Sequence, residues 1–97
     1  MVDRPRRLDA SDMCCGEIEG PDGRRCVWGW MGLWWPHDAA NAEQRRRFIR
    51  AYRQANKSEE RSVIAHNDSA CVTHQERADA INRALDLMEA MGEGSTG

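Results

Sequence analysis

A chain of 97 residues holds one domain, and at this size folding removes only about 60 to 65 % of the surface that the unfolded chain exposes. Hydrophobic residues at 40 % and charged residues at 31 % lie near the globular average and exclude a disordered polyelectrolyte. A formal net charge of -2 excludes a surface built as a whole to hold nucleic acid or an anionic membrane, although it leaves room for a local basic patch.

The start Met1-Val2-Asp3-Arg4-Pro5-Arg6-Arg7 carries no apolar run, so neither a signal peptide nor a membrane anchor is expected there, and the chain reads as cytoplasmic. Residues 1–12 have little to bury and predict a loosely held, flexible arm ahead of a single helical domain over residues 13–92. Within that domain Gly20-Pro21-Asp22-Gly23 predicts a turn, because proline fixes φ and glycine accepts a positive one. A short hairpin or tight loop is expected around it.

Val27-Trp28-Gly29-Trp30-Met31-Gly32-Leu33-Trp34-Trp35 is the apolar centre and falls far short of the roughly 20 residues needed to span a membrane. Val27, Trp30, Met31 and Trp34 recur at i, i+3, i+4 and i+7 and predict a short helix, although Gly29 and Gly32 weaken it and Trp28/Trp30 would also alternate in a strand. Pro36 stops that helix. A second helix is expected over about 42–55, with Asn41 as N-cap, Gln44 completing a capping box, and Phe48, Ile49 and Tyr52 buried.

A shorter helical turn is expected over 59–65, capped by Ser58 and burying Val63 and Ile64, before the polar break His66-Asn67-Asp68-Ser69. The T-x-x-E capping box Thr73–Glu76 opens the last helix, whose apolar positions Ala78, Ile81, Leu85 and Met88 run until Gly92. Residues 93–97 read as a disordered tail. The fold class expected is mainly α, a small single domain of three to four helices with a short N-terminal hairpin or tight loop.

Gly-Pro-Asp-Gly-Arg-Arg-Cys-Val-Trp-Gly, then Ile-Ala-His-Asn-Asp, then a Thr-x-x-Glu helix start occur here in order. With these features the chain resembles a family of short actinobacterial and phage proteins built on a domain of unknown function. That family's pattern combines a Gly-Arg-x-Cys-x-x-Gly turn with Trp-Asn-Asp-x-Pro-x-x-Thr-x-x-Glu. Gly23, Arg24, Cys26, Gly29, Asn67, Asp68, Thr73 and Glu76 match, over roughly residues 16–88, while His66 stands in place of Trp and Ala70 in place of Pro. The resemblance implies a largely helical fold and a phage or mobile-element origin. It implies no activity.

Cys14, Cys15, Cys26 and Cys71 read as free thiols in a reducing compartment. Cys26, His37, His66, Cys71 and His74 are candidate zinc ligands, but only Cys71-x-x-His74 approaches a chelating pair and none has the paired cysteine spacing of a zinc site. No metal, cofactor or catalytic residue is assigned. Cys26 at a helix start meets one condition for an activated thiol, and ordinary packing meets the same observation.

Arg24, Cys26, His66, Asn67 and Asp68 form the polar group that could bind a small ligand, with Arg24 in reach of Asp68. Asn and Asp side chains also bond their own backbone in turns, which makes a brace for the last helix the competing reading. Arg46, Arg50 and Arg53 share one helix side at i, i+4 and i+7, as a solvated face or as a grip for an anionic partner.

Trp28, Trp30, Trp34 and Trp35 exceed what so small a core would be expected to hide, and exposed aromatics flanked by arginine mark binding surfaces. The expectation is therefore a protein-interaction module that presents a Trp-rich face to a protein partner or to a second copy. A nucleic-acid-associated regulator using the arginine stripe is the first alternative, and a thiol- or zinc-dependent enzyme the second.

Overall fold

In the computed structural model, which describes residues 4–14, 19–60, 62–71 and 73–91, the chain is mainly helical. The expected tail and Cys15 lie outside those residues. Helix α1 (Val27–Trp34) forms where the apolar spacing predicts, and Val27, Trp30, Met31 and Trp34 are all buried. It ends at Trp35, because a following proline pushes its neighbour out of helical backbone.

Helix α2 (Ala42–Ala55) buries Arg45, Phe48, Ala51 and Tyr52, while Ile49 is only half-buried. Its start is built one step earlier than the sequence suggests. The Asp38 carboxylate accepts from the backbone N–H (3.0 Å) and the side-chain Nδ2 (2.9 Å) of Asn41, capping a 3₁₀ turn over Ala39–Asn41 that runs into the helix. Asn41 itself has helical backbone and makes no side-chain cap bond. An N-cap side chain must sit on extended backbone to reach forward, and Asp38 meets that condition where Asn41 does not.

Helix α3 (Val63–Ala65) is capped by Ser62, whose Oγ accepts from the Ala65 N–H at 3.1 Å. Ser58, the expected cap, is buried with its Oγ unpartnered among the described residues. Ile64 points outward, 39 % exposed, because so short a helix buries one position, and Val63 takes it. The expected polar break is instead a π turn over His66–Ala70 that continues the helix and carries Asn67 inward. Helix α4 (His74–Ala90) starts at the predicted Thr73 cap, the first half of the expected box, with Thr73 Oγ1 accepting from the Glu76 N–H at 3.1 Å. It packs chiefly along α2 and buries Ala78, Ala80, Ile81, Ala84 and Met88.

The N-terminal segment is a tight loop. Asp22 (φ 58°) and Gly23 (φ 78°) both adopt the positive φ that an I′-like turn requires, which glycine meets without steric cost. Among the described residues pairing is limited to one parallel bridge, in which the Arg25 N–H donates to Asp12 O and the Cys14 N–H donates to Arg25 O.

Residues 4–12, read from sequence as a loosely held arm, are docked on α4. Leu8 is buried, and the Asn82 side chain exchanges two 2.8 Å bonds with its backbone, accepting from the N–H through Oδ1 and donating to the carbonyl through Nδ2. Arg7 reaches Asp86 at 2.8 Å and Arg6 reaches Asp12 at 3.1 Å. The hydrogen bond to Arg6 holds the Asp12 carboxyl below its ordinary value.

Six rings run through the core in one line. Trp30, Trp34, Trp35, Phe48, Tyr52 and His66 follow one another at centroid separations of 5.5, 5.8, 5.3, 6.1 and 5.4 Å, within the range where aromatic pairs attract beyond their area burial. The line crosses α1, α2 and the π turn, so one set of contacts fixes three elements.

Replacing Asn82 with Ala removes both bonds to Leu8 and leaves a buried backbone donor and acceptor unpaired. This variant is expected to lose about 2 kcal/mol in urea unfolding, with accelerated amide exchange at Leu8. An unchanged midpoint would show that the segment is not held by Asn82.

Candidate functional site

Packing of its inner face against α4 leaves α2 with an outer face that no described element covers. Arg46 and Arg50 are exposed, and Arg53 and Ile49 are half-buried. Two neighbouring grooves meet there. One, of about 550 Å³, is lined by Arg46, Ile49, Arg50, Arg53, Gln54 and Glu59. The other, of about 540 Å³, runs over Trp28, His37, Asp38, Arg45, Arg46 and Ile49. Arg46 and Ile49 are common to both, so the two grooves form one surface with an apolar floor and a basic rim.

Trp28 reaches this surface because of Arg45. The Arg45 guanidinium is buried, donates to the Trp35 carbonyl at 2.6 Å and lies 5.1 Å over the Trp28 ring. A desolvated guanidinium needs such an acceptor, and stacking on indole supplies a further favourable term. The pair thus fixes the end of α1 on α2 and sets the indole at the groove.

Charge on the rim is unevenly neutralised. Arg46 pairs with Glu43 at 2.9 Å, and Arg47 reaches the same carboxylate at 3.5 Å. The Arg46 hydrogen bond, joined by the nearby positive charges of Arg46, Arg47 and Arg50, holds the Glu43 carboxyl below its ordinary value. Arg50 and Arg53 form no ion pair among the described residues, and Arg53 Nε is shut off from solvent without a partner.

The Trp-rich face expected from the sequence is reduced to one ring. Trp30, Trp34 and Trp35 are buried at 4, 3 and 8 % exposure, and only Trp28 keeps partial contact with solvent. The reason is the ring-to-ring line into Phe48, together with Arg6 and Arg25, which stack on Trp30 at 5.1 and 6.0 Å. The Trp30 indole N–H is satisfied by Asp12 O at 3.1 Å.

The expected polar group is divided. His66 and Asn67 meet inside the molecule with Tyr52, Cys71 and Arg77, three residues that sequence reasoning did not single out as polar-site members. Arg24 and Cys26 stay with the turn and cap before α1, and no Arg24–Asp68 ion pair forms. Fully buried Asn67 donates through Nδ2 to Tyr52 Oη at 3.1 Å and to Arg77 O at 3.2 Å, and Arg77 Nε donates back to Asn67 O at 3.2 Å.

Burial pushes the Tyr52 phenol well above its ordinary value. The hydroxyl therefore keeps its proton, and it lies within hydrogen-bond distance of His66 Nδ1, at 2.8 Å. Cys71 Sγ lies 3.9 Å from the same nitrogen. Its thiol is pushed up, chiefly by burial, the opposite of what an activated nucleophile requires.

His74 Nδ1 is engaged by Arg77 Nη1 at 2.8 Å, so Cys71 and His74 face different partners. Among the described residues no group of three or more metal-ligating side chains gathers. Arg77 was visible in principle as a polar residue on α4 four positions before Ile81, inside the apolar stripe. No family model, curated protein or solved structure matches the chain, and no described helix is long and apolar enough to cross a membrane.

Burial that favours the protonated forms of Cys71 and Tyr52 makes folding stability fall as pH rises. The stability is complete below the unfolded-chain values, 9.0 for cysteine and 10.0 for tyrosine, and declines above them as the unfolded chain releases protons that the folded chain retains. The midpoint of urea unfolding is expected to drop from about pH 9 upward, and Tyr52→Phe, which removes the only tyrosine, should flatten the part above pH 10. An identical slope in the variant would contradict it.

Proposed function

We propose that the chain is a small protein-interaction module that works through the outer face of α2. The observation that carries this reading is the continuity of the two grooves: Trp28 and Ile49 supply a half-buried apolar floor, and Arg46, Arg50 and Arg53 supply the rim. A central apolar anchor inside a polar rim is the anatomy of a protein-binding surface. The expected Trp-rich face thus contracts to Trp28, joined by the arginine stripe.

Charge selects the partner. A rim of arginines, two of them without an ion pair among the described residues, complements an anionic protein segment. Glu43 and Glu59 beside those arginines, and the overall charge of -2, weigh against a nucleic-acid backbone, whose binding rests on uniform phosphate neutralisation.

A photo-crosslinking residue at Ile49, compared with one at Glu89 on α4, tests the reading in a lysate of the source organism. The Ile49 probe is expected to capture one protein saturably, with capture resistant to nuclease and competed by excess unmodified chain. An Arg50→Glu, Arg53→Glu competitor should be at least about tenfold weaker, the loss of roughly 1.4 kcal/mol. Equal competition by that variant, equal capture at Glu89, or capture abolished by nuclease would overturn it.

A further inference from the structure

The groove lined by Arg46, Ile49, Arg50, Arg53, Gln54 and Glu59 holds more cationic chemistry than a solvated helix face needs. Three guanidiniums at i, i+4 and i+7 span about 10 Å of helix and line a single concavity of about 550 Å³. Arg53 is the informative member. Its Nε–H is buried and unpartnered, and a desolvated charged donor left without an acceptor is costly. Arg53 also forms no ion pair among the described residues, so no described carboxylate neutralises its charge at the groove.

Arg50, exposed beside it, also lacks an ion pair among the described residues, whereas Arg46 is already tied to Glu43. From this arrangement we infer that the groove is an oxyanion site for a phosphoryl group, held between Arg50 and Arg53 with Arg46 on its rim. The inference rests on the proposed docking face and names the group that a docked segment would bring to it.

Geometry favours phosphoryl over carboxylate. Glu43 cancels the charge of Arg46 and Glu59 opposes Arg50 and Arg53, which leaves a formal charge of about +1 and makes geometry the discriminating feature. A planar carboxylate satisfies one guanidinium fork, whereas three phosphoryl oxygens can accept from two forks at once. Ile49 gives the group that bears the phosphoryl an apolar wall. Free phosphate and a phosphorylated side chain share this chemistry, and the wall is what separates them.

The test is a titration of the uniformly ¹⁵N-labelled full chain, following the Nε–Hε resonances of the arginines. Phenyl phosphate, benzoate and inorganic phosphate are the probes. Phenyl phosphate is expected to move the Arg50 and Arg53 resonances saturably and to bind at least about tenfold more tightly than benzoate. Inorganic phosphate should move the same resonances more weakly if the ligand is an ester, and equally if free phosphate is the ligand; both outcomes support the site.

Arg50→Gln, at an exposed position, should abolish the response while leaving the backbone spectrum folded, and Arg53→Gln should do the same if it folds. Benzoate binding as tightly as phenyl phosphate would overturn the phosphoryl assignment while leaving the docking face intact. No saturable shift at Arg50 or Arg53 with any probe would overturn the oxyanion site. Failure of the docking face itself is read separately, from the Ile49 crosslinking competition.

Discussion

The structure depends on the line of rings from Trp30 to His66, which meet tilted or edge-on. A domain of this size has room for one modest core, and five of its six aromatic residues enter that line with centroid spacings between 5.3 and 6.1 Å. Each element of the chain is then placed by which ring it contributes or covers. Helix α1 supplies Trp30 and Trp34, α2 supplies Phe48 and Tyr52, and the π turn supplies His66. The N-terminal segment closes over Trp30 with Arg6 and with the Asp12 carbonyl that receives its indole proton.

The functional surface is what remains after that line is formed. Phe48 and Tyr52 commit one side of α2 to the interior, so Arg46, Ile49, Arg50 and Arg53 occur on the other side by helical spacing alone. Trp28, the aromatic residue outside the line, is carried to the same surface by Arg45, whose buried guanidinium both stacks on it and closes the Trp35 carbonyl. At the far end of the line the Tyr52–His66 bond passes into the Asn67 amide and the Arg77 backbone, so that Asn67 Nδ2 ties the π turn to α2 and α4 while its Oδ1 stays buried without a partner among the described residues. Burial there pushes the Tyr52 phenol and the Cys71 thiol above their ordinary values, so both keep their protons at neutral pH.

Local signals were legible in the sequence, and long-range ones were not. The Thr73 cap, the Pro36 stop, the periodicity of α1, α2 and α4 and the arginine stripe all depend on neighbours within a few positions, and each appears where the spacing places it. The docking of residues 4–12 depends on Asn82 meeting Leu8 across 74 positions, which no local pattern encodes. The division of the four tryptophans between core and surface has the same origin: their spacing allows a helix but does not say which rings find Phe48. Caps were misplaced where two candidates lay close together, Asn41 beside Asp38 and Ser58 beside Ser62, because backbone conformation decides which side chain reaches the orphan N–H groups.

Hydroxyl-radical footprinting of the folded chain, read ring by ring by mass spectrometry, addresses most directly whether the aromatic line is the core and Trp28 the ring left at the surface. Preferential oxidation of Trp28, with Trp30, Trp34 and Trp35 protected until the chain is unfolded, is the result this structure predicts. Oxidation of Trp34 or Trp35 at the rate of Trp28 would contradict it, and would return the Trp-rich segment to the surface.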